Sequence, residues 1–138
     1  MALILADSGA VDILTVYLAN RYMKLKLFTS DSTPTDDDSL ASYIIAAGGG
    51  YADITLDVTS WVVSTTNDPR DAAYPEQTFT FTTLLTSSAI IYGYLCCDTA
   101  STNLFWGERF STSFKPQNNG DIVKVTPKLQ LSFGTPTS

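Results

Sequence analysis

The sequence predicts a mainly β fold: a β-sandwich, open to jelly-roll topology, with a short N-terminal helix and a second short helix. Three observations predict it. Short runs of alternating apolar and polar residues recur from Tyr51 onward, split by clusters of Gly, Pro, Asn and Asp, the pattern of short strands joined by turns. Only one segment holds helical spacing over more than a few residues. Hydrophobic residues make up 44% of the 138 and charged residues only 16%, which suits one domain with a core of its own. The expected organisation is a single domain over 1–138, with a helical segment or arm at 1–20 and a β core at 22–133.

The helix is expected from Asp7 to Asn20. Ala10, Ile13, Leu14 and Tyr17, and Val11, Leu14 and Leu18, fall at three- and four-residue spacings. Asp7 or Ser8 is placed to cap its start and Asn20 to end it. It reads first as a helix packed on a sheet, and second as an arm docked on a neighbouring subunit. In "YMKLKLFTS", Met23, Leu25 and Leu27 alternate with Lys24, Lys26 and Phe28, as in a half-buried strand. "DSTPTDDDS" reads as a loop whose Asp36 to Ser39 cap a short helix through Leu40, Tyr43 and Ile44, ended by the glycines of "AAGGGY".

The rest reads as β. "YADITLDVTSWVV" alternates weakly, and "TTNDPRDAAYPEQ" reads as a loop. "TFTFTT", Thr78 to Thr83, alternates strictly, with phenylalanines on one face. "IIYGYLCCDTASTNLFWGERF" reads as a hairpin with arms Ile90–Cys97 and Leu104–Phe110. "NNGD" is a turn, because Asn-Gly accepts positive φ. In the closing "IVKVTPKLQLSF", Pro127 marks an edge, a bulge or the joint between two strands.

Composition narrows the function classes. The net charge is −6, and the eight Lys and Arg form no stripe, so a phosphate-binding surface is not expected. Histidine is absent, which removes Ser-His-Asp and Cys-His catalysis and most zinc sites. No apolar run approaches the length of a membrane span, and "MALILADSGAVDIL" lacks the charged start of a secretory signal. Cytoplasmic synthesis without membrane insertion is therefore expected.

Four groups of residues are candidate sites. Cys96 and Cys97, adjacent on a strand, point to opposite faces and read as small buried apolar residues, with an intersubunit disulfide as the alternative. Asp31, Asp36, Asp37 and Asp38 read as a solvated loop with a helix cap, or as ligands of a hard cation such as Ca²⁺; their spacing does not match an EF-hand. Glu108 and Arg109 face opposite ways, so each needs another partner; for Arg109 the choices are Asp53, Asp57, Glu76, Asp98 or a Glu108 from elsewhere. Tyr92, Tyr94 and Cys96 are expected on one face of the first arm, and Leu104, Trp106, Glu108 and Phe110 on one face of the second. Such facing aromatics read as core, with a sugar-stacking platform as the alternative. No catalytic, cofactor-binding or metal-binding residue is predicted, and an enzyme is not expected.

The segments "LKLFTSDSTPTDDDSLASY", "GGGY", "YPEQTFTFT", "IYGYLCCD", "LFWGERF" and "NNGDIVKVTPKLQLSF", in this order, resemble a group of small virion proteins of tailed bacteriophages. The resemblance covers roughly Leu25 to Phe133 and excludes the cysteine pair. It implies a virion structural role and carries no catalytic residue. Within a virion the expected place is the outer capsid surface, as a decoration (cement) protein. Its partners would be the major capsid protein and copies of itself in a homotrimer, with Met1–Ser8, Ser30–Ser39 and Thr65–Glu76 as contact segments. The alternative is a neck, tail or fibre module, including one that binds host glycans.

Overall fold

The structure, a computed structural model, describes residues 5–131. It is mainly β, as expected, with three antiparallel sheets, one α-helix and two short 3₁₀ turns. The chain forms two compact units: one from the described parts of 1–21, 57–75 and 126–138, the other from 22–56 and 76–125.

The first unit holds α1 (Asp7–Ala19) and the short strands β3 (Val62–Val63), β4 (Asp71–Ala73) and β9 (Lys128–Gln130). Its sheet runs β3-β4-β9, and α1 packs on β3 and β4. The helix therefore lies on a sheet, the first of its two readings. It buries Ala10, Leu14 and Leu18, one row at four-residue spacing. Neither Asp7 nor Ser8 caps it. Ala6 holds the N-cap position without a side-chain bond, and Asp7 instead sits in the first turn, where a carboxylate complements the helix dipole. Its Oδ2 accepts from Arg70 at 2.8 Å. Asn20 ends the helix and donates to the Val16 carbonyl at 2.9 Å.

β4 lies inside the stretch read as a loop. It is three residues long between Pro69 and Pro75, too short for alternation to show. It is nevertheless central in its sheet, and Ala72 is fully buried. Pro127 is the joint between β8 (Ile122–Val125) and β9, and its carbonyl accepts from the Tyr74 N–H at 2.9 Å.

The second unit holds a four-stranded sheet, β2 (Ile54–Leu56), β1 (Met23–Phe28), β6 (Ile91–Asp98) and β7 (Leu104–Phe114), in that order, and a two-stranded sheet of β5 (Gln77–Thr80) and β8. β1 is more deeply buried than expected. It is flanked by β2 and β6, and Met23, Leu25, Leu27 and Phe28 are all fully buried. The face carrying Phe28 is covered by Tyr43, Leu40 and Ile45, which pack with Leu95. Each such apolar side chain contributes about 1.5–3 kcal/mol on leaving water.

The expected second helix is only a 3₁₀ turn, Leu40–Ser42, in which the Ser39 N–H donates to Ser42 Oγ at 3.1 Å. The glycines do not end it, since its C-cap is Tyr43. Gly48, Gly49 and Gly50 all take positive φ and lie along residues 82–86. A Cβ on Gly49 would stand 2.7 Å from the Thr83 carbonyl oxygen, so a side chain is excluded by both backbone conformation and space. Only the first half of "TFTFTT" is strand, since β5 ends at Thr80; Phe79 on it and Phe81 just beyond it are buried, and Thr78, Thr80, Thr82 and Thr83 are exposed. The "NNGD" turn forms with Gly120 at φ 93°. It does not close a hairpin with β7, because β8 pairs with β5.

Candidate functional site

The β6–β7 hairpin is present, with arms Ile91–Asp98 and Leu104–Phe114. Cys96 and Cys97 are free thiols with no solvent exposure. Cys96 pairs across the sheet with Leu25 and Trp106, and Cys97 with Lys24 and Leu104. They are packing residues on opposite faces, as expected. Burial pushes both thiols up from their ordinary value, Cys96 furthest, which suppresses the reactive thiolate.

The expected face of β7 is corrected by a bulge. The register shifts between Cys96↔Trp106 and Cys97↔Leu104, so Phe105 is the extra residue. That moves Leu104 to the opposite face from Trp106, where it packs with Phe28, Tyr43 and Leu95. A second irregularity between Ile91 and Gly93 lies at Tyr92, which joins the same cluster. Tyr94 stays with Glu108: its hydroxyl donates to Glu108 Oε2 at 2.9 Å, and its ring lies 6.2 Å from that of Phe110.

Arg109 takes a carboxylate outside the set foreseen for it. It donates to Asp31 Oδ1 at 2.6 Å and to the Ser32 carbonyl at 3.1 Å, and its guanidinium lies 5.0 Å from the Tyr92 ring centroid. This fixes the start of the acidic loop to β7. Asp38 turns to Tyr43, whose hydroxyl donates to it at 2.6 Å, and also accepts from the Thr35 N–H at 2.9 Å. Both bonds lower the Asp38 carboxyl, the tyrosine's most, while burial, then Asp38, raises the Tyr43 hydroxyl. Among the described residues no three acidic or cysteine side chains converge as metal ligands do.

One buried polar cluster was not foreseen. Lys26 lies on β1 between two fully buried leucines and is itself only 8% exposed. Its Nζ donates to Asp53 Oδ2 at 2.6 Å, and the Tyr51 hydroxyl donates to Asp53 Oδ1 at 2.8 Å. The Tyr51 oxygen in turn accepts from the Leu27 N–H at 3.0 Å. β2 pairs with β1 only from Met23 to Leu25, so Tyr51 takes up the backbone donor that the short strand leaves open. Burial, opposed by the Leu27 bond and reinforced by Asp53, raises the Tyr51 hydroxyl. Its ring stacks on Phe79 at 5.8 Å, beside a 230 Å³ cavity bordered by Asp53 and Thr78. The signal in the sequence was present: a lysine between core leucines requires a partner, and Tyr51 and Asp53, two apart, share a face of an extended chain. Lys26, Asp53, Tyr51 and the Leu27 N–H thus form one chain of hydrogen bonds, so the cluster acts as a structural bridge.

Two more aspartates organise turns. Asp57 accepts from the Thr59 and Ser60 N–H groups, each at 2.8 Å. Asp98, at the hairpin tip, accepts from the Thr102 and Asn103 N–H groups at 2.7 and 3.0 Å. Exposed apolar side chains lie apart from these: Ile13, Val16, Tyr22, Ile44, Val62, Leu84 and Ile122. None falls in the loops 30–39 and 65–76 expected to make contacts, and residues 1–4 of the N-terminal contact segment lie outside the described residues. No family model, curated protein or solved structure matches the chain.

Proposed function

We propose that this chain is a structural protein of a tailed-bacteriophage virion, a decoration protein that binds the outer capsid surface and braces neighbouring capsomers, with homotrimeric assembly as its working form. The observation that carries the reading is the exposed apolar set. Among the described residues, seven large hydrophobic side chains, from Leu84 at 40% exposed to Val62 at 69%, stand on the surface of an acidic chain. Such surface suits burial against protein partners. The pattern of turns and strands from Leu25 to Phe133 supports the virion setting, and the net charge of −6 suits an outer surface better than one that faces DNA.

The action is mechanical. Each copy would bury apolar area across a capsomer boundary at about 25 cal/mol per Å², less the cost of association. Repetition over the shell turns a modest contact into a large one. The glycan-binding alternative has less support: the exposed set contains one aromatic, Tyr22, and neither Trp61 nor Trp106.

The test is the copy number per purified virion, measured by quantitative mass spectrometry against the major capsid protein. A fixed ratio amounting to hundreds of copies is expected. A few copies would move the chain to the neck or tail, and absence would overturn the virion reading.

A further inference from the structure

We propose that the groove between β2 and β5 is a strand-addition site, which binds an extended, uncharged segment of a partner protein through its backbone. Both walls are open strand edges, since β2 pairs only with β1 and β5 only with β8 among the described residues. On β5, the Phe81 N–H donates to the Asp121 carbonyl at 2.8 Å, on the β8 side. Alternation turns the N–H and C=O groups of Thr78 and Thr80 the other way. Thr82, next in that row, donates to the Gly49 carbonyl at 2.8 Å, so the row points at residues 49–54. On the facing wall, the N–H and C=O groups of Leu27 meet Tyr51 and Ala46, on the β2 side of β1. The same alternation directs Leu25 to its partner Ile54 and turns the backbone groups of Asp53 away from β1. Beyond the Thr82–Gly49 bond no backbone pair joins the two segments, and a 230 Å³ cavity lies between 50–54 and 78–80. Among the described residues, the backbone N–H and C=O groups of Asp53, Thr78 and Thr80 have no hydrogen-bond partner.

That pattern selects the occupant. Outward donors and acceptors on a strand edge recur at every second residue, about 6.8 Å apart, a spacing that an extended backbone matches and a compact ligand does not. An open edge is completed by adding another strand. Of the described residues bordering the cavity only Asp53 carries a charge, and Lys26 answers it at 2.6 Å. A charged side chain entering the groove would therefore lose water and gain no partner. The space is small, so the segment that fits it carries small uncharged side chains such as Ala, Thr and Val. This site goes beyond the virion reading and does not rest on it.

The experiment titrates the isotope-labelled full chain with an acetylated, amidated Thr-Val-Thr-Ala-Thr peptide and follows the backbone amides by NMR. Saturable shifts are expected at Asp53, Thr78 and Thr80. The same peptide methylated on alternate backbone nitrogens is expected to leave those amides unmoved, because it cannot donate to an edge. Thr80→Pro deletes one outward N–H and spares the ladder to β8; it is expected to weaken the peptide roughly tenfold, the worth of one hydrogen bond. Circular dichroism checks that this variant keeps its fold, and the methylated peptide decides the matter on the unaltered chain if it does not. No shift at the three amides, or equal shifts with the methylated peptide, would overturn the proposal. Shifts produced by raising the protein concentration alone would overturn it in favour of a second copy, and shifts produced by glucose alone in favour of a sugar. None of these outcomes alters the copy number that tests the virion reading.

Discussion

At the scale of single residues, the Lys26–Asp53–Tyr51 bridge is where a small change has the largest consequence. Lys26 is tolerated inside β1 because Asp53 neutralises it at 2.6 Å. Asp53→Ala would leave a buried ammonium without its counter-charge and the Tyr51 hydroxyl without its acceptor. The expected loss is about 3 kcal/mol, at the low end for a broken buried pair because the Asp53 side chain keeps 24% of its exposure. Urea denaturation should show a lower midpoint with an unchanged slope. Lys26→Met combined with Asp53→Ala should lose less than the single Asp53→Ala, since the double variant buries no unpaired charge. If the double variant proves the less stable of the two, an unpaired Lys26 ammonium costs nothing at this position, and the bridge account fails.

At the scale of elements, legibility followed distance along the chain. α1 was readable because its row of Ala10, Leu14 and Leu18 repeats within 13 residues, and the β6–β7 hairpin because a polar tip separates two apolar arms. The pairing of β5 with β8 was not readable: Phe79 faces Val123, and no local pattern links positions so far apart. The Phe105 bulge was hidden for a different reason, since one extra residue leaves composition untouched while reversing which face Leu104 occupies. The Arg109–Asp31 contact was equally out of reach, because it depends on the acidic loop folding back to β7. Gly93 shows the same limit. A Cβ there would collide with the Glu108 carbonyl oxygen and stand 2.5 Å from the Phe28 ring, neither of which the strand pattern reveals. Gly93→Ala is therefore expected to destabilise by about 2–3 kcal/mol through overpacking. Thermal unfolding should show a lower midpoint than for Gly120→Ala, where a Cβ meets nothing within 4 Å and only the positive φ is strained. Equal losses at the two sites would mean that β6 and β7 yield easily at this crossing.

At the scale of the whole molecule, pH response follows from which groups bind protons more weakly when folded. No histidine is present, and burial raises the thiols of Cys96 and Cys97 and the hydroxyls of Tyr43 and Tyr51. Side chains thus contribute little titration between about pH 6 and 8, and stability should be flat there. Acid is different. The Thr59 N–H, followed by the Ser60 hydroxyl, holds Asp57 down at about 2. The Thr102 hydroxyl, followed by the Asn103 N–H, holds Asp98 at about 2. Lys128 lowers Asp71, and the Gln117 and Asn118 N–H groups lower Asp121. Each of these carboxylates takes up its proton less readily folded than unfolded. Its stabilising contribution is complete above the unfolded value near 4 and is lost as pH falls through the folded one. Melting temperature recorded by circular dichroism should hold from pH 8 to about 5 and then fall steeply between about pH 4 and 2. Asp98→Asn should flatten that fall, because the variant has one fewer carboxylate to protonate while its amide oxygen still accepts at the hairpin tip. An unaltered acid limb in Asp98→Asn would show that this turn has opened before its carboxylate titrates.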